Sequence, residues 1–505
     1  MKTIELFITN EQLNIEMVNQ VHDRIAPQLL RLVEDLGGLY IKFGQEVAAM
    51  RGIVPDQYCD TMAVLQDNVP SISFEEVSKL FKEDFGQGIE ELFVSFEKEP
   101  IAAASLAQVH KAVLPDNRVV AVKVQYPRVK YFHDGDLLTH RVVGHFLSYF
   151  YKQFRKPSEE FYTALHAELN FKKEAEHAKR ARKNFSHRKD IYVPDIVDNL
   201  SSERILTMEF IDGFKVNNLE AISKHGFSTA SIAQLVFEGN AEQVFLHGFI
   251  HADLHPGNIL VRPIPGKPDK PQVVFLDHGL YGSIGDEFRV GYCKFWMALV
   301  KGDEKTLIDW CKKYGISDYK ILSSVLMIQQ FDGIGTDLKD SAQTKKESKY
   351  SEFQALYKNM TPEQRRHFKE RMDSVTEVMN TVPEELLFIL RSSFLLRGVN
   401  RELGAPINRF AVMARVASRG ATTSKAVVES ELSYYEKSLL FVEGAKFEWI
   451  LRLNTFRSWL FTKLYNISVV LGMNEKLQEI GFALLRYMGT VEEEGPALEA
   501  SASHS

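Results

Sequence analysis

His251-Ala252-Asp253-Leu254-His255-Pro256-Gly257-Asn258 places a carboxylate and a carboxamide in one short loop. Phosphoryl transfer needs that pair: an acidic group to orient the attacking hydroxyl or water, and an amide oxygen to help hold a metal ion. The interval from Asp253 to Asn258 equals that between Asp and Asn in the kinase pattern H-R-D-L-x-x-x-N. Pro256-Gly257 supplies the turn between them. His251 takes the leading position, where an imidazole braces the loop instead of reacting.

Downstream, the β-branched run Val273 to Leu276 predicts a strand that delivers Asp277 at its end, followed by His278 and Gly279. A carboxylate at that point can bridge a metal to phosphate oxygens, and Gly279 permits the turn that follows. His278 stands where many kinases have phenylalanine. Upstream, Val120-Ala121-Val122-Lys123 matches the V-A-I-K strand whose lysine contacts the α- and β-phosphates. Such a lysine needs an acidic partner from a nearby helix, and Glu174 is the candidate.

The phosphate loop departs from the usual glycine-rich form. The pattern G-x-G-x-x-G-x-V lies over Ala102-Ala103-Ala104-Ser105-Leu106-Ala107-Gln108-Val109, with alanine in all three glycine places. Alanine keeps the side chain small but gives up free access to positive φ, so the loop is stiffer and its nucleotide preference should differ.

The rest of the chain sets the frame. Helical spacing of Ile25, Leu29, Leu32 and Leu36 predicts helix across most of 11–68, and Ser73 before Glu75-Glu76 predicts a capped helix start. Strands are expected at Val119–Val124 and Arg204–Phe210, separated by a helical stretch over 136–188. Helix resumes from 228 to Gly248. Asn258–Arg262 and Val273–Leu276 flank a Pro/Gly/Lys loop at 263–272, and everything from 284 onward is helical in pattern. Residues 334–350 read as a mobile loop and the acidic, Ala/Ser-rich tail from Val491 as disordered. This order predicts an α+β, bilobal, protein-kinase-like fold: a helical extension over 1–98, a small sheet-bearing lobe over 99–212, a large helical lobe over 213–490, and a tail over 491–505.

Composition narrows the partners. A net charge of −6 carries no polyanion-binding signature, so no nucleic-acid partner is expected. The three cysteines form no CxxC pair, which excludes a sequence-readable zinc cage. No secretory or mitochondrial presequence is visible at the N-terminus, and no uninterrupted apolar run is long enough to span a bilayer. The amphipathic stretches 139–154 and 456–473 are the candidates for peripheral contact with a lipid surface.

Together these residues resemble the UbiB family of atypical kinase-like proteins, the aarF-domain kinases, over about 25–420. Lys42-Phe43-Gly44-Gln45 looks like the family's KxGQ motif, and Ala102 to Ser105 like its alanine-rich loop. Glu168-Leu169-Asn170 stands where the family has ExD, with Asn170 in place of the aspartate. Leu390 to Pro406 resembles a late helix of the large lobe. The resemblance implies an ATP- or ADP-binding, magnesium-dependent kinase or ATPase. In it Asp253, Lys123 and Glu174 would be catalytic, and Asn258 and Asp277 would hold metal. Ala102, Ala103, Ala104, Ser105 and Lys123 would cradle phosphates. Lys42, Gly44, Gln45, Glu168 and Asn170 would be regulatory, the KxGQ helix lying across the space where a protein substrate docks. A role near lipid or ubiquinone metabolism follows from the same resemblance, as does a mitochondrial location, with a cytoplasmic one as the alternative. Two further readings stay open: a small-molecule kinase of the aminoglycoside or choline type, and a nucleotide-binding pseudokinase scaffold.

Overall fold

The computed structural model describes residues 15–49, 55–66, 71–103, 106–127, 169–327, 377–404 and 407–422, with isolated positions at 135–142, 361–375 and 446–453. Helices α1 (Ile15–Leu36), α2 (Leu39–Ala49) and α3 (Asp56–Met62) come first, followed by a 3₁₀ turn over Ala63–Gln66. The helical period read from the sequence holds in α1, but its phase differs from a simple core face. Ala26 and Val33 are buried, whereas Ile25, Leu32 and Leu36 are exposed. Helix α4 (Phe74–Phe85) begins with a capping box in which Ser73 accepts from the Glu76 N–H and Glu76 accepts from the Ser73 N–H. Helix α5 (Ile89–Leu92) follows.

Strands β1 (Ser95–Phe96), β2 (Ala102–Ala103), β3 (Ala107–Val113) and β4 (Val119–Gln125) lead to α6 (Phe171–Asn184), β5 (Ile191–Tyr192) and β6 (Ile205–Glu209). A five-stranded antiparallel sheet is ordered β1-β3-β4-β6, with β2 also paired to β3. Alternation on β4 does the positioning. Val120, Val122 and Val124 are fully buried against Val77, Leu80 and Phe81 of α4. Lys123 therefore projects from the opposite face, over the ring of Phe171 at 5.0 Å.

The chain continues through β7 (Phe214–Lys215), α7 (Leu219–Lys224) and α8 (Thr229–Glu242) into β8 (Phe249–His251), β9 (Ile259–Ile264), β10 (Lys267–Phe275) and β11 (Tyr281–Ser283). A four-stranded sheet is ordered β5-β10-β9-β7, and β8 pairs antiparallel with β11. The expected loop at 263–272 is largely strand: the β9–β10 hairpin turns at Gly266, φ +79°, and pairing resumes at Lys267. Prolines are tolerated there because β5 pairs with β10 only at Val273 and Val274, so the segment before them lies on a sheet edge. The remaining described helices are α9 (Asp286–Lys301), α10 (Glu304–Lys313), α11 (Tyr319–Met327), α12 (Glu384–Glu402) and α13 (Arg409–Thr422).

Two units emerge. The first comprises residues 1–240, 249–283 and 315–407 and contains all three sheets with α1–α7, α11 and α12. The second comprises residues 241–248, 284–314 and 408–505. In that unit α9 packs on α13, and buried Arg289 donates to the carbonyls of Phe245 at 2.5 Å and Gly420 at 3.3 Å. No described helix is long and apolar enough to cross a membrane. The candidate lipid-facing stretches 139–154 and 456–473 fall almost wholly outside the described residues, as do 334–350 and the tail from Val491.

Candidate active site

Every site described below lies within the first unit. Helix α6 begins at Asn170, whose Oδ1 accepts from the N–H groups of Lys172 at 3.0 Å and Lys173 at 3.4 Å. This is an N-cap, satisfying donors that the first helical turn leaves open. Phe171 and Ala175 are buried beside Leu206 of β6, so the helix presents Glu174, 3% exposed, inward.

Lys123 meets both Glu174 oxygens, at 2.9 and 3.0 Å, and Asp277 Oδ2 at 2.9 Å. One cation thus serves buried Glu174 and partly exposed Asp277, two carboxylates from distant parts of the chain. Burial alone would lower the lysine's pKa, but Asp277 and then Glu174 overturn that and hold it above its ordinary value. Burial pushes Asp277 up, and Lys123 together with the Gly279 N–H outweighs this, keeping the carboxyl well below the usual carboxylate range. Glu174 is left with the deficit: burial and the neighbouring Asp277 charge raise it to about 7, against the pull of Lys123.

The loop His251–Asn258 is held from within. The Asp253 N–H donates to His251 Nδ1 at 3.1 Å, so the other ring nitrogen carries the proton of the neutral imidazole. Burial lowers His251 to about 4, which keeps it neutral. Asn258 Nδ2 donates to the Asp253 carbonyl at 3.0 Å and approaches Asp253 Oδ2 at 3.5 Å. The 3₁₀ turn Pro256–Asn258 closes this loop.

Three basic side chains surround the Asp253 carboxylate. Lys42 Nζ of α2 lies 3.6 Å from Oδ2, Arg391 of α12 lies 3.6 Å from Oδ1, and His255 Nε2 lies 3.8 Å from Oδ2. Burial raises the carboxyl, but Lys42, then His255 and Arg391, bring it down to about 2. Arg391 also donates from Nε to the Ala252 carbonyl at 2.9 Å. Sequence reading marked the Leu390–Pro406 stretch but not Arg391 itself. Its signal was slight: one of three arginines in α12, with Ile389 and Leu396 buried nearby.

The remaining calls divide as follows. Gln45 donates to the Leu65 carbonyl at 2.8 Å, tying α2 to the following 3₁₀ turn, so of the KxGQ pair it is Lys42 that reaches Asp253. Gly44 is a close-approach position: a Cβ there would collide with Leu65 and press on Met62 and Val33. Ala102 and Ala103 form β2, paired to Val109 and Gln108 of β3. Ala104, Ser105 and Glu168 lie outside the described residues.

The model of the ABC1 atypical kinase-like domain matches residues 64–310. A probable serine/threonine-protein kinase of Dictyostelium discoideum, abkD, is 38% identical over 80% of this chain, which spans 56% of that protein's own length. AarF domain-containing protein kinase 1 of Xenopus laevis is 33% identical over 85% of this chain and 81% of its own. Among solved structures, the Rv3197–erythromycin complex of Mycobacterium tuberculosis aligns at TM-score 0.44 and 20% identity, covering 78% of this chain and 99% of that one. With its α+β kinase-like fold and these relatives, the chain belongs to the ABC1, or AarF-domain, family of atypical kinases.

Proposed function

We propose that this chain binds ATP with magnesium at the Lys123–Glu174–Asp277 cluster and passes the γ-phosphoryl group to water or to a small, lipid-like acceptor. The observation that carries this reading is the single lysine shared by two carboxylates beside a catalytic loop whose Asp253 is ionised. Lys123 is the group for the α- and β-phosphates, and Glu174 holds it in line.

Asp277 and Asn258 fit a magnesium ion by the chemistry of their donors. Among the described residues no group of three or more His, Cys, Asp or Glu gathers into a metal cage. Magnesium in phosphoryl-transfer sites needs no such cage, since it takes one or two protein oxygens and completes its shell with phosphate and water. The Asp277 carboxylate is kept ionised by Lys123 and is only partly covered, so it can offer an oxygen to a cation. When bound, the ion would neutralise charge on the β- and γ-oxygens.

Asp253 then orients the attacking oxygen. With its carboxyl near 2, it is an acceptor throughout the neutral range. Lys42 occupies the approach to that carboxylate, which supports water or a compact hydroxyl as acceptor over a peptide side chain. A link to lipid or ubiquinone metabolism rests on family membership. Single-turnover release of phosphate from γ-labelled ATP tests the reading: wild type turns over and Asp253→Asn does not. Equal rates would leave the chain a nucleotide-binding scaffold.

A further inference from the structure

His278 and Tyr281 are not used by the reaction just described, yet they carry several directional contacts beside Asp277. His278 is 2% exposed. Its Nε2 lies 3.1 Å from the Phe275 carbonyl, and its Nδ1 lies 2.9 Å from the Tyr281 hydroxyl. A carbonyl can only accept, so Nε2 bears the proton, Nδ1 is the acceptor, and the tyrosine hydroxyl donates to it. The ring thus ties the residue two before Asp277 to the residue four after it, bracketing the segment that presents the carboxylate.

The backbone of His278 is held as well. Its N–H donates to Glu174 Oε1 at 3.4 Å, and its carbonyl accepts from His177 Nδ1 of α6 at 3.1 Å. Tyr281 is anchored in turn. It faces His251 across the β8–β11 ladder and stacks on Phe249 at 4.3 Å between centroids. The adjacent Ala252 N–H donates to the Leu280 carbonyl at 3.1 Å. Through ring and backbone together, His278 and Tyr281 therefore join the strand end before Asp277, the helix carrying Glu174, and the strand leading into Asp253. A phenylalanine at position 278 could fill the same space but could make neither ring hydrogen bond.

We propose that His278 and Tyr281 are positioning residues, a hydrogen-bonded latch that holds Asp277 in its metal-binding orientation and sets the affinity for magnesium. This rests on the metal reading of Asp277 given above. The latch acts through Asp277 and touches neither nucleotide nor metal. Its loss weakens the magnesium-dependent part of nucleotide binding and leaves the magnesium-free part in place. Groups that orient a metal ligand commonly change metal affinity by about 10–100-fold when removed.

The test is a magnesium titration of ADP binding, with ADP affinity in EDTA measured alongside, for wild type, His278→Phe, Tyr281→Phe and the double variant. Tyr281→Phe removes one oxygen and keeps the ring stack, so it reports on the latch even if His278→Phe folds poorly. The magnesium concentration at half effect should rise about tenfold or more in each single variant. The double variant should be no worse than His278→Phe, and ADP affinity in EDTA should be unchanged. A magnesium half-point within about twofold of wild type in Tyr281→Phe overturns the latch, as does an equal loss of ADP affinity in EDTA, which would mark a general packing role. If wild type itself shows no magnesium dependence, the metal reading fails and the latch falls with it.

Discussion

The Lys42 ammonium of α2 stands 3.6 Å from the Asp253 carboxylate of the catalytic loop, although the two residues are separated by more than two hundred positions in the chain. Lys42 is the largest of the charges that hold Asp253 near 2 against the cost of burial. Replacing it with glutamine should raise the Asp253 pKa by about one unit or more. The acid limb of the pH–rate profile for ATP hydrolysis would move to higher pH by the same amount. An unmoved limb would mean that Lys42 does not govern this carboxylate.

Glu174 gives a second pH prediction, of opposite character. Its pKa in the fold, about 7, lies above the ordinary value of 4.5, so the native state binds this proton more tightly than the unfolded chain. Its contribution to stability therefore declines as pH rises from 4.5 to 7. Nucleotide alignment runs the other way, because only ionised Glu174 pairs fully with Lys123. Affinity for ADP–magnesium should fall several-fold between about pH 8 and about pH 6, and Glu174→Gln should be weak at both and nearly flat. Calorimetry at the two pH values decides it.

Asn170 stands at the place of a family aspartate, and the structure gives it a local task as the N-cap of the helix that carries Glu174. Asn170→Asp keeps a capping oxygen and should change the melting temperature little. Asn170→Ala should cost about 1 kcal/mol. A thermal melt of the two variants side by side separates capping from a role for the missing charge.

Gly44 is a close-packed position in α2. Its would-be Cβ meets Leu65, with Met62 Sδ at 3.2 Å and Val33 Cγ1 at 3.3 Å. Gly44→Ala should destabilise by about 1–3 kcal/mol through overpacking. Because Lys42 is on the same helix, the Asp253 pKa should rise with it. Stability and the pH profile changing together is the expected signature.

Much of the site was legible because its chemistry demands fixed spacing within short stretches. Asp253 with Asn258, Asp277 with Gly279, and Lys123 in its β-branched strand each declare themselves locally. The α+β kinase-like class followed from the order of those pieces. Other features were not legible, for identifiable reasons. Strands β8 and β11 have only three residues each, too short for a period-two pattern. The phase of α1 depends on what packs beside it, so the helical spacing of Ile25, Leu32 and Leu36 could not reveal that they are exposed. Arg391 reaches the catalytic loop from a helix 139 residues beyond Ala252, a tertiary contact that no local window contains. Gln45 could be read as a motif member, but its turn toward Leu65 depends on the fold of the segment that follows.

The central claim is that Asp277 holds the metal of a nucleotide site, and the most direct measurement is the melting temperature with ATP in the presence and absence of magnesium. Wild type should be stabilised by ATP with magnesium well beyond ATP alone, and Asp277→Asn should lose that difference while still folding. Equal magnesium-dependent shifts in wild type and Asp277→Asn would contradict the assignment.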